Sequence, residues 1–363
     1  MAKAAKYTIG IDIGTNAVKV ASYHVQRKKT ALSVLMKYDF LQQDIVKEIK
    51  EVNETHVMAA VKQMLNELPY KRASIRVGIT ADYHNIFSLQ VPQVAQHELK
   101  QTLFWELTPL LPEPVDHYEY DYAILPQTTR KKLNILLAVL KKVKMDWLNK
   151  LFKSLGTQMD ILETTSLPAV DLFMREQGKL TEAVGFLQLG ASHSSYILVD
   201  PKAYPEFLHI PFGGNLLNNL IADDRDIPFS DAEFLRLGIM GKVKAENEDD
   251  PESVAKAERE SQINRSALYM ENEEIGKALK KMTASVEQVN ARHAYQTNTR
   301  VEKIYVTGGL LNDEFISKFF RFSDNFFDIP TEMWDPIETH FPHIEAEPML
   351  KFQFGPAIGL AMR

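Results

Sequence analysis

Short apolar runs of strand length open this chain, give way to apolar residues at helical spacing, and return in the second half. The first three runs predict strands at residues 7–14, 18–25 and 31–38. Helical spacing then leads to Pro69, where the helix ends, and residues 75–80 predict a buried strand. The same three-strand order recurs at residues 183–189, 194–199 and 206–210. The hydrophobic pattern therefore predicts two related α/β halves.

The first half is interrupted by residues 83–162, where the pattern indicates a compact α+β unit. Its predicted elements are strands at 85–91, 118–125, 133–140 and 159–162 and helices at 96–107 and 145–155. Alternation places four residues of one predicted strand on a single face, namely Tyr118, Tyr120, Tyr122 and Ile124. This face either packs against helices or offers an aromatic surface to a bound peptide.

Beyond residue 210 the pattern predicts helices at 216–221 and 270–293, a strand at 301–307 and a short apolar helix at the end. Ser230, followed three residues later by Glu233, resembles a capping box and predicts another helix start. Residues 242–262 are crowded with charge, which favours a solvated loop and a polar helix over an interaction segment.

Composition places the chain among ordinary globular proteins of two or three domains. It has 363 residues, of which 45% are hydrophobic and 25% are charged. The net charge of −6 argues against nucleic acid as the main partner, because phosphate backbones are bound by concentrated Lys and Arg. A sequence without cysteine excludes disulfides and thiolate metal sites and fits a reducing cytosol. No apolar run approaches the roughly 18 residues that span a bilayer, so we expect no direct membrane insertion and attachment through a partner.

The most informative motif is the turn between the first two predicted strands, where Asp12 is followed by Gly14 and Thr15. Glycine lets the backbone turn tightly and approach an anion closely. We therefore expect the amides of Gly14, Thr15 and Asn16 to point at phosphate oxygens. The Asp12 carboxylate is suited to hold a hydrated Mg²⁺ ion.

A weakened copy of this turn follows the first strand of the second half. It comprises Gly190, Ala191 and Ser192, with Gln188 in the place that corresponds to Asp12. A neutral amide supplies neither the charge nor the basicity of the missing acid. The two turns therefore predict a protein that binds a nucleotide and hydrolyses it weakly or not at all.

Glycine pairs complete an ordered set of motifs, with Gly213-Gly214 before a helix and Gly308-Gly309 after a strand. In this order the motifs resemble the actin/Hsp70/sugar-kinase superfamily, whose two lobes are built on RNase H-like sheets. The inserted unit resembles the α+β subdomain in the first lobe of the cell-division protein FtsA and of PilM. The closer resemblance is to the PilM family of type IV pilus assembly proteins, carried by residues 10–19, 112–122, 232–236, 304–309 and 359–363.

The resemblance implies four parts. The first lobe comprises residues 1–82, 163–181 and 340–363, and the inserted α+β subdomain comprises residues 83–162. The second lobe comprises residues 182–242 and 297–339, and its helical subdomain comprises residues 243–296.

The resemblance also implies a function. PilM-like proteins are cytoplasmic, belong to the inner-membrane platform that assembles type IV pili, and bind ATP between their lobes. They hold the cytosolic N-terminal peptide of the bitopic membrane protein PilN in a groove beside the insert, and they link it to motor ATPases. For this chain we therefore expect ATP or ADP, with Mg²⁺ as an accompanying ion, a PilN-like peptide and motor ATPases as partners. Self-association is left open, and the expected location is the cytoplasm, at the periphery of the inner membrane.

Carried over residue by residue, the resemblance implies a site between the lobes. Its phosphate and metal side would comprise Asp12, Gly14, Thr15, Asn16 and Lys19, opposite Gly190, Ala191 and Ser192 and beside Gly213, Gly214 and Asn215. Its nucleoside side would comprise Glu233 and Arg236 at the ribose and base and Gly308, Gly309 and Leu310 at the adenosine. Alternatively, Lys19 faces solvent, and Glu233 with Arg236 forms a plain surface ion pair.

Two departures from the family pattern bear on catalysis. Gln188 replaces the expected Asp, and Asn215 stands where an acid is usual, so we expect reduced hydrolysis and reduced affinity for Mg²⁺. The alternative functions are an active ATPase or small-molecule kinase of the same superfamily, and an FtsA-like filament-forming protein. FtsA-like chains continue into an amphipathic membrane anchor, whereas this sequence ends at Arg363, which favours the PilM-like interpretation.

Overall fold

The computed structural model describes residues 7–26, 29–40, 54–80, 84–125, 131–238, 269, 271–322, 327–340 and 350–363. The charged segment at 242–262 lies outside the described residues. None of the helices in the described ranges is both long and apolar enough to cross a membrane.

The first half forms a five-stranded sheet. Its strands are β1 (Tyr7–Ile13), β2 (Ala17–Gln26), β3 (Lys29–Asp39), β4 (Ala73–Ile79) and β8 (Ile161–Thr164). They lie in the order β3-β2-β1-β4-β8, in which β2 is antiparallel to both of its neighbours and β4 is parallel to both of its own. The helices of this half are α1 (Glu54–Asn66), α3 (Lys142–Ser154) and α4 (Ser166–Gln177).

The second half repeats this sheet. Its strands are β9 (Ala183–Leu189), β10 (Ser194–Val199), β11 (Glu206–Ile210), β12 (Val301–Thr307) and β13 (Thr331–Met333), in the order β11-β10-β9-β12-β13. The helices are α5 (Gly214–Arg225), α6 (Phe229–Leu237), α7 (Glu273–Thr297), α8 (Glu314–Phe322), α9 (Pro336–His340) and α10 (Gly355–Met362). The repetition confirms the prediction of two lobes on RNase H-like sheets.

Helices α4 and α10 lie between the two sheets and join them through a shared core. Phe173 of α4 and Ile358 of α10 pack there with Phe186 of the second sheet and with Tyr23 of the first. All four side chains are buried. Because this core draws on both sheets, the two lobes are packed against each other as well as connected by the chain.

Residues between β4 and α3 form a small third sheet. Its strands are β5 (His84–Pro92), β6 (Tyr118–Leu125) and β7 (Lys132–Lys141), in the order β5-β7-β6, with helix α2 (Gln96–Leu107) on one face. Tyr118, Tyr120 and Tyr122 pack into the core under α2, whereas Ile124 is 51% exposed. The three tyrosines of this face therefore pack in the core between the sheet and α2.

Helix α3 and strand β8 pack with the first lobe. The buried residues Leu148, Leu151 and Phe152 of α3 belong to the core under the first sheet, and β8 pairs with β4. The sequence analysis had placed both segments in the insert. The division into four parts stays a prediction, and this packing favours an insert that ends at Lys141 rather than at Leu162.

A close approach between β1 and α10 provides a test of the packing. A Cβ on Gly10 would lie 2.7 Å from the backbone nitrogen of Ala361, so a side chain there forces α10 away from β1. We expect Gly10→Ala to lower the free energy of unfolding by about 3 kcal/mol. The measurement is urea unfolding followed by circular dichroism.

The matched control is Gly276→Ala in α7, where a Cβ would meet nothing within 4 Å. Alanine favours helix over glycine by about 1 kcal/mol, so this variant is expected to be slightly more stable. Equal stability of the two variants would contradict the close packing of α10 on β1.

Candidate functional site

Alternation along the two central strands places one polar side chain of each at the cleft between the lobes. The isoleucines of β1 face the first-lobe core, so Asp12 lies on the opposite face, toward the second lobe. The leucines of β9 face the second-lobe core, so Gln188 lies toward the first lobe. Both residues line the cleft.

The turns that follow these strands touch each other. Thr15 and Ser192 share a hydrogen bond of 2.8 Å between their hydroxyl oxygens. Asn16 and Asn215 form a reciprocal pair, in which each amide nitrogen donates to the other residue's oxygen, at 2.8 and 3.1 Å. The structure thus brings together side chains that lie nearly 200 positions apart in the sequence.

Glycine is required in both turns by their tight backbone. The N–H of Gly14 donates to the carbonyl oxygen of Ala17 at 3.0 Å, and the N–H of Gly190 donates to that of His193 at 3.1 Å. A Cβ on either glycine would collide with the same carbonyl oxygen. The expectation that the Gly14 amide points at phosphate was wrong, because the turn itself uses that donor.

The other two glycine motifs support the second turn from behind. A Cβ on Gly213 would lie 2.7 Å from the carbonyl carbon of Ala191. Gly308 has a φ of 109°, a conformation that favours glycine, and its Cβ would lie 2.7 Å from the nitrogen of Leu189. These glycines therefore let three backbone segments pack together at the end of β9.

Asp12 and Lys19 form an ion pair at the end of the first hairpin. The antiparallel register of β1 and β2 sets them directly opposite each other, and Lys19 Nζ lies 3.1 Å from Asp12 Oδ2. The side chains are only 5% and 14% exposed, respectively, so Lys19 does not face solvent. Burial raises the pKa of Asp12, and the charge of Lys19 opposes that rise.

Arg236 is buried in the second lobe, where its hydrogen bonds join separate segments of the chain. Its guanidinium donates to Asn218 at 2.7 Å and to Asp313 at 3.0 Å, and the hydroxyl of Tyr269 also bonds Asp313. Arg236 is therefore not part of a surface ion pair. Only one edge of its guanidinium, beside Gly214, reaches the wall of the cleft.

Glu233 lies on the same helix and faces charges of the first lobe. It accepts a hydrogen bond from Asn218 at 3.0 Å, and burial raises its pKa. Across the cleft, Lys37 and Asp39 form an ion pair of 2.8 Å on β3. The helix begins at Phe229 without a side-chain cap, so the predicted capping role of Ser230 was wrong.

The cleft wall gathers most of the residues that the sequence singled out. These are Asp12, Gly14, Thr15, Asn16, Lys19, Gly190, Ala191, Ser192, Gly214, Glu233, Arg236, Gly308, Gly309 and Leu310. Gly213 and Asn215 stand beside this wall and support it. The sequence analysis did not predict that Lys37 and Asp39 line the cleft. The alternation of the strands, together with the position of the turn between β2 and β3, gives the register that sets Lys37 beside Lys19.

The described wall suits a metal ion poorly. Its carboxylates are already bonded, Asp12 to Lys19, Asp39 to Lys37 and Glu233 to an amide. Within the described parts of the chain, no cluster of three or more His, Asp or Glu side chains is arranged to hold a metal. The expected Mg²⁺ ion at Asp12 stays a prediction, and the contact with Lys19 argues against it.

Comparison with known proteins identifies the family. The profile of the family described as type IV pilus assembly protein PilM matches residues 10–250, which is more than half of the chain. The chain belongs to the PilM family. Its role is therefore in type IV pilus assembly. A search of curated proteins finds no match.

Solved structures agree with this assignment in fold. The structure of a "PilM-PilN type IV pilus biogenesis complex" matches with a TM-score of 0.74 and 16% identity, over 98% of each chain. The ethanolamine utilization protein EutJ from Carboxydothermus hydrogenoformans matches with a TM-score of 0.48 and 13% identity, over 98% of this chain and 89% of its own. MreB5 of Spiroplasma citri bound to ADP matches with a TM-score of 0.41 and 13% identity, over 92% and 93%. The match to the PilM-PilN complex thus shows that the chain has the fold of the PilM family.

The ion pair of the first hairpin makes a prediction about stability. Removing one member leaves the other buried and unpaired, so Asp12→Asn and Lys19→Gln are each expected to lower the free energy of unfolding by about 3 kcal/mol. The double variant replaces the pair by two hydrogen-bonding amides and is expected to lie within about 1 kcal/mol of the unmodified protein. Urea unfolding of all four proteins at neutral pH measures the coupling, and additive losses would contradict a buried pair.

Proposed function

We propose that this chain is a nucleotide-binding scaffold of the inner-membrane platform that assembles type IV pili. The observation that carries the proposal is the meeting of two glycine turns, from two sheets of the same strand order, at one cleft. Lys19 adds a positive charge beside the first turn, where phosphates would bind. The nucleoside of ATP or ADP would lie between Glu233 and the segment that begins at Gly308.

We propose further that the nucleotide acts as a ligand and that hydrolysis is weak or absent. Gln188 holds the position from which an acid would orient the attacking water, and an amide does not act as a general base. Its side-chain oxygen is buried in the cleft and has no hydrogen-bond partner among the described residues. The acids that do line the cleft are bonded to basic or amide groups, which leaves them poorly placed to activate water.

The position of the insert supports a partner site whose shape depends on the angle between the two lobes. Leu140, at the end of β7, belongs to the first-lobe core, and Lys144 of α3 bonds Glu54 of α1 at 2.9 Å. On its other side the insert contacts the second lobe, because the hydroxyl of Ser88 donates to the carbonyl oxygen of Pro205 at 3.0 Å. A change in the angle between the lobes would therefore alter the space around the insert.

We propose that this space receives an extended peptide from a PilN-like bitopic membrane protein. The sheet of the insert packs on α2 with one face. Its opposite face carries the half-buried residues Ile86, Leu136 and Ala138 beside Ser88, which contacts the second lobe. Pockets for alternate side chains on such a face suit an extended peptide. The solved PilM-PilN complex supports the identity of the partner. The peptide would hold this cytoplasmic chain at the inner membrane and link it to the motor ATPases.

The nucleotide-binding proposal is tested by a substitution whose side chain fills part of the cleft. The atoms nearest to a Cβ on Gly309 belong to the side chain of Gln353, the first at 3.6 Å, so we expect Gly309→Leu to fold and to narrow the nucleoside side of the cleft. We expect this variant to weaken ATP and ADP binding by about tenfold or more in isothermal titration calorimetry. Gly276→Leu, in open space on α7, is the matched control and is expected to bind normally. Normal binding by Gly309→Leu would contradict the assigned cleft.

The peptide-binding proposal is tested on the face of the insert sheet that lies opposite α2. A synthetic N-terminal peptide of a PilN-like protein is titrated against Ala138→Glu, which sets a charge in the middle of this face. We expect a loss of peptide affinity of about tenfold or more, with nucleotide binding retained.

Ala284→Glu, on the exposed side of α7, is the control for the added charge. A peptide that binds Ala138→Glu normally would place the partner site elsewhere on the molecule. Repeating the titration with and without ADP measures the coupling, because only unequal affinity for the two forms allows the nucleotide to influence the partner.

A further inference from the structure

The first hairpin contains a positively charged side chain, that of Lys19. Lys19 Nζ lies 3.1 Å from Asp12 Oδ2 and 3.7 Å from the position that a Cβ on Gly14 would occupy. The ammonium group therefore sits over the tight turn, between the acid of β1 and the glycine at which the chain reverses. A lysine ammonium has three N–H donors, so the bond to Asp12 leaves donors for the oxygens of an incoming anion.

Two of the three carboxylates on the described cleft wall are paired with lysines. The described wall carries three carboxylates and three Lys or Arg side chains, namely Asp12, Asp39, Glu233, Lys19, Lys37 and Arg236. Each carboxylate already accepts a hydrogen bond, at 3.1 Å in Asp12, 2.8 Å in Asp39 and 3.0 Å in Glu233. Asp12 and Asp39 are each paired with a lysine, whereas Arg236 is paired with the buried Asp313 and Glu233 is bonded to a neutral amide. The acid at the first turn, where Mg²⁺ would be expected, is therefore already paired.

Mg²⁺ would have to compete with Lys19. This ion requires near-octahedral oxygen ligands and is usually held through one or two carboxylates together with substrate phosphates. Direct binding at Asp12 Oδ2 would displace the Lys19 ammonium and leave it buried without its partner, which is strongly unfavourable. At the position that corresponds to Asp12, the opposite hairpin contributes the neutral side chain of Gln188.

We propose that Lys19 takes the place of the divalent cation at this site, so that nucleotide phosphate binds without Mg²⁺. The inference rests on the proposed function, because it concerns the same cleft. Phosphate oxygens that reach the first turn accept hydrogen bonds from the Lys19 ammonium. Asp12 then acts as a positioning residue, which holds the ammonium over the turn.

The test is calorimetric titration of the full chain with ADP and with ATP, in EDTA and in excess Mg²⁺. We expect the two dissociation constants for each nucleotide to agree within about twofold. Lys19→Gln removes the charge and is expected to weaken binding by about tenfold or more under both conditions. Lys19→Arg keeps the charge and is expected to stay within about threefold, and Lys280→Gln on the exposed side of α7 is the matched control.

Two further variants distinguish nucleotide binding that depends on Lys19 from nucleotide binding that depends on Mg²⁺. Asp12→Asn should destroy binding that depends on Mg²⁺. Binding that depends on Lys19 should weaken but persist in EDTA, because the amide oxygen still accepts a hydrogen bond from the Lys19 ammonium. Gln188→Asp adds a second acid opposite Asp12 and is expected to create a preference for Mg²⁺ of about tenfold. Gln288→Asp, at an exposed position of α7, controls for the added charge.

The outcomes distinguish this inference from the proposed function. Binding by the unmodified protein that requires Mg²⁺ overturns the inference and leaves the nucleotide-binding function intact. Binding in EDTA that Lys19→Gln does not weaken also overturns it. A failure to bind nucleotide under either condition overturns both.

Discussion

The geometry of the cleft depends on one packing constraint, which is the core that the two sheets share around α4 and α10. Each central strand turns one face to its own lobe and the other to this shared core. Gly10 allows α10 to approach the backbone of β1, and that approach sets how close the sheets lie. The ends of β1 and β9 consequently meet, which brings Thr15 to Ser192 across the cleft. A longer side chain at Gly10 would act on the cleft through this helix without touching it.

The insert is positioned by the same arrangement. It leaves the first sheet after β4, and α3 returns the chain to the core of that sheet, so the insert is anchored at its base. Its far edge touches the second lobe through Ser88 and Pro205. Because its base shares the first-lobe core, we expect the insert to follow the first lobe when the angle between the lobes changes. Such a change would alter the contact of the insert with the second lobe, beside which the proposed peptide groove lies.

Most strands and helices were predictable because their signals are local. Period-two and period-3.6 patterns gave β6, β9, β10, β11, β12 and α2 with the bounds that the structure has. The lobe to which α3 and β8 belong was not predictable, since an amphipathic helix does not specify its distant partner. The partners of Arg236 were missed for the same reason, as Asp313 lies 77 positions away. The partner of the Gly14 N–H was mispredicted, because a turn that binds an anion and a turn that is closed by its own hydrogen bond both require glycine at this position.

The contacts across the cleft limit how strongly a nucleotide can act on the lobes. Thr15 with Ser192 and Asn16 with Asn215 close the end of the cleft with the protein's own hydrogen bonds, each of which contributes about 1 kcal/mol. A phosphate that enters between the turns has to replace these bonds, so only the difference between the new and the old contacts can change the angle between the lobes. Coupling free energies between two sites of a protein are usually about 1–3 kcal/mol. In the proposed function the nucleotide would therefore adjust the affinity of the scaffold for its partner only as far as its contacts differ between the two arrangements of the lobes.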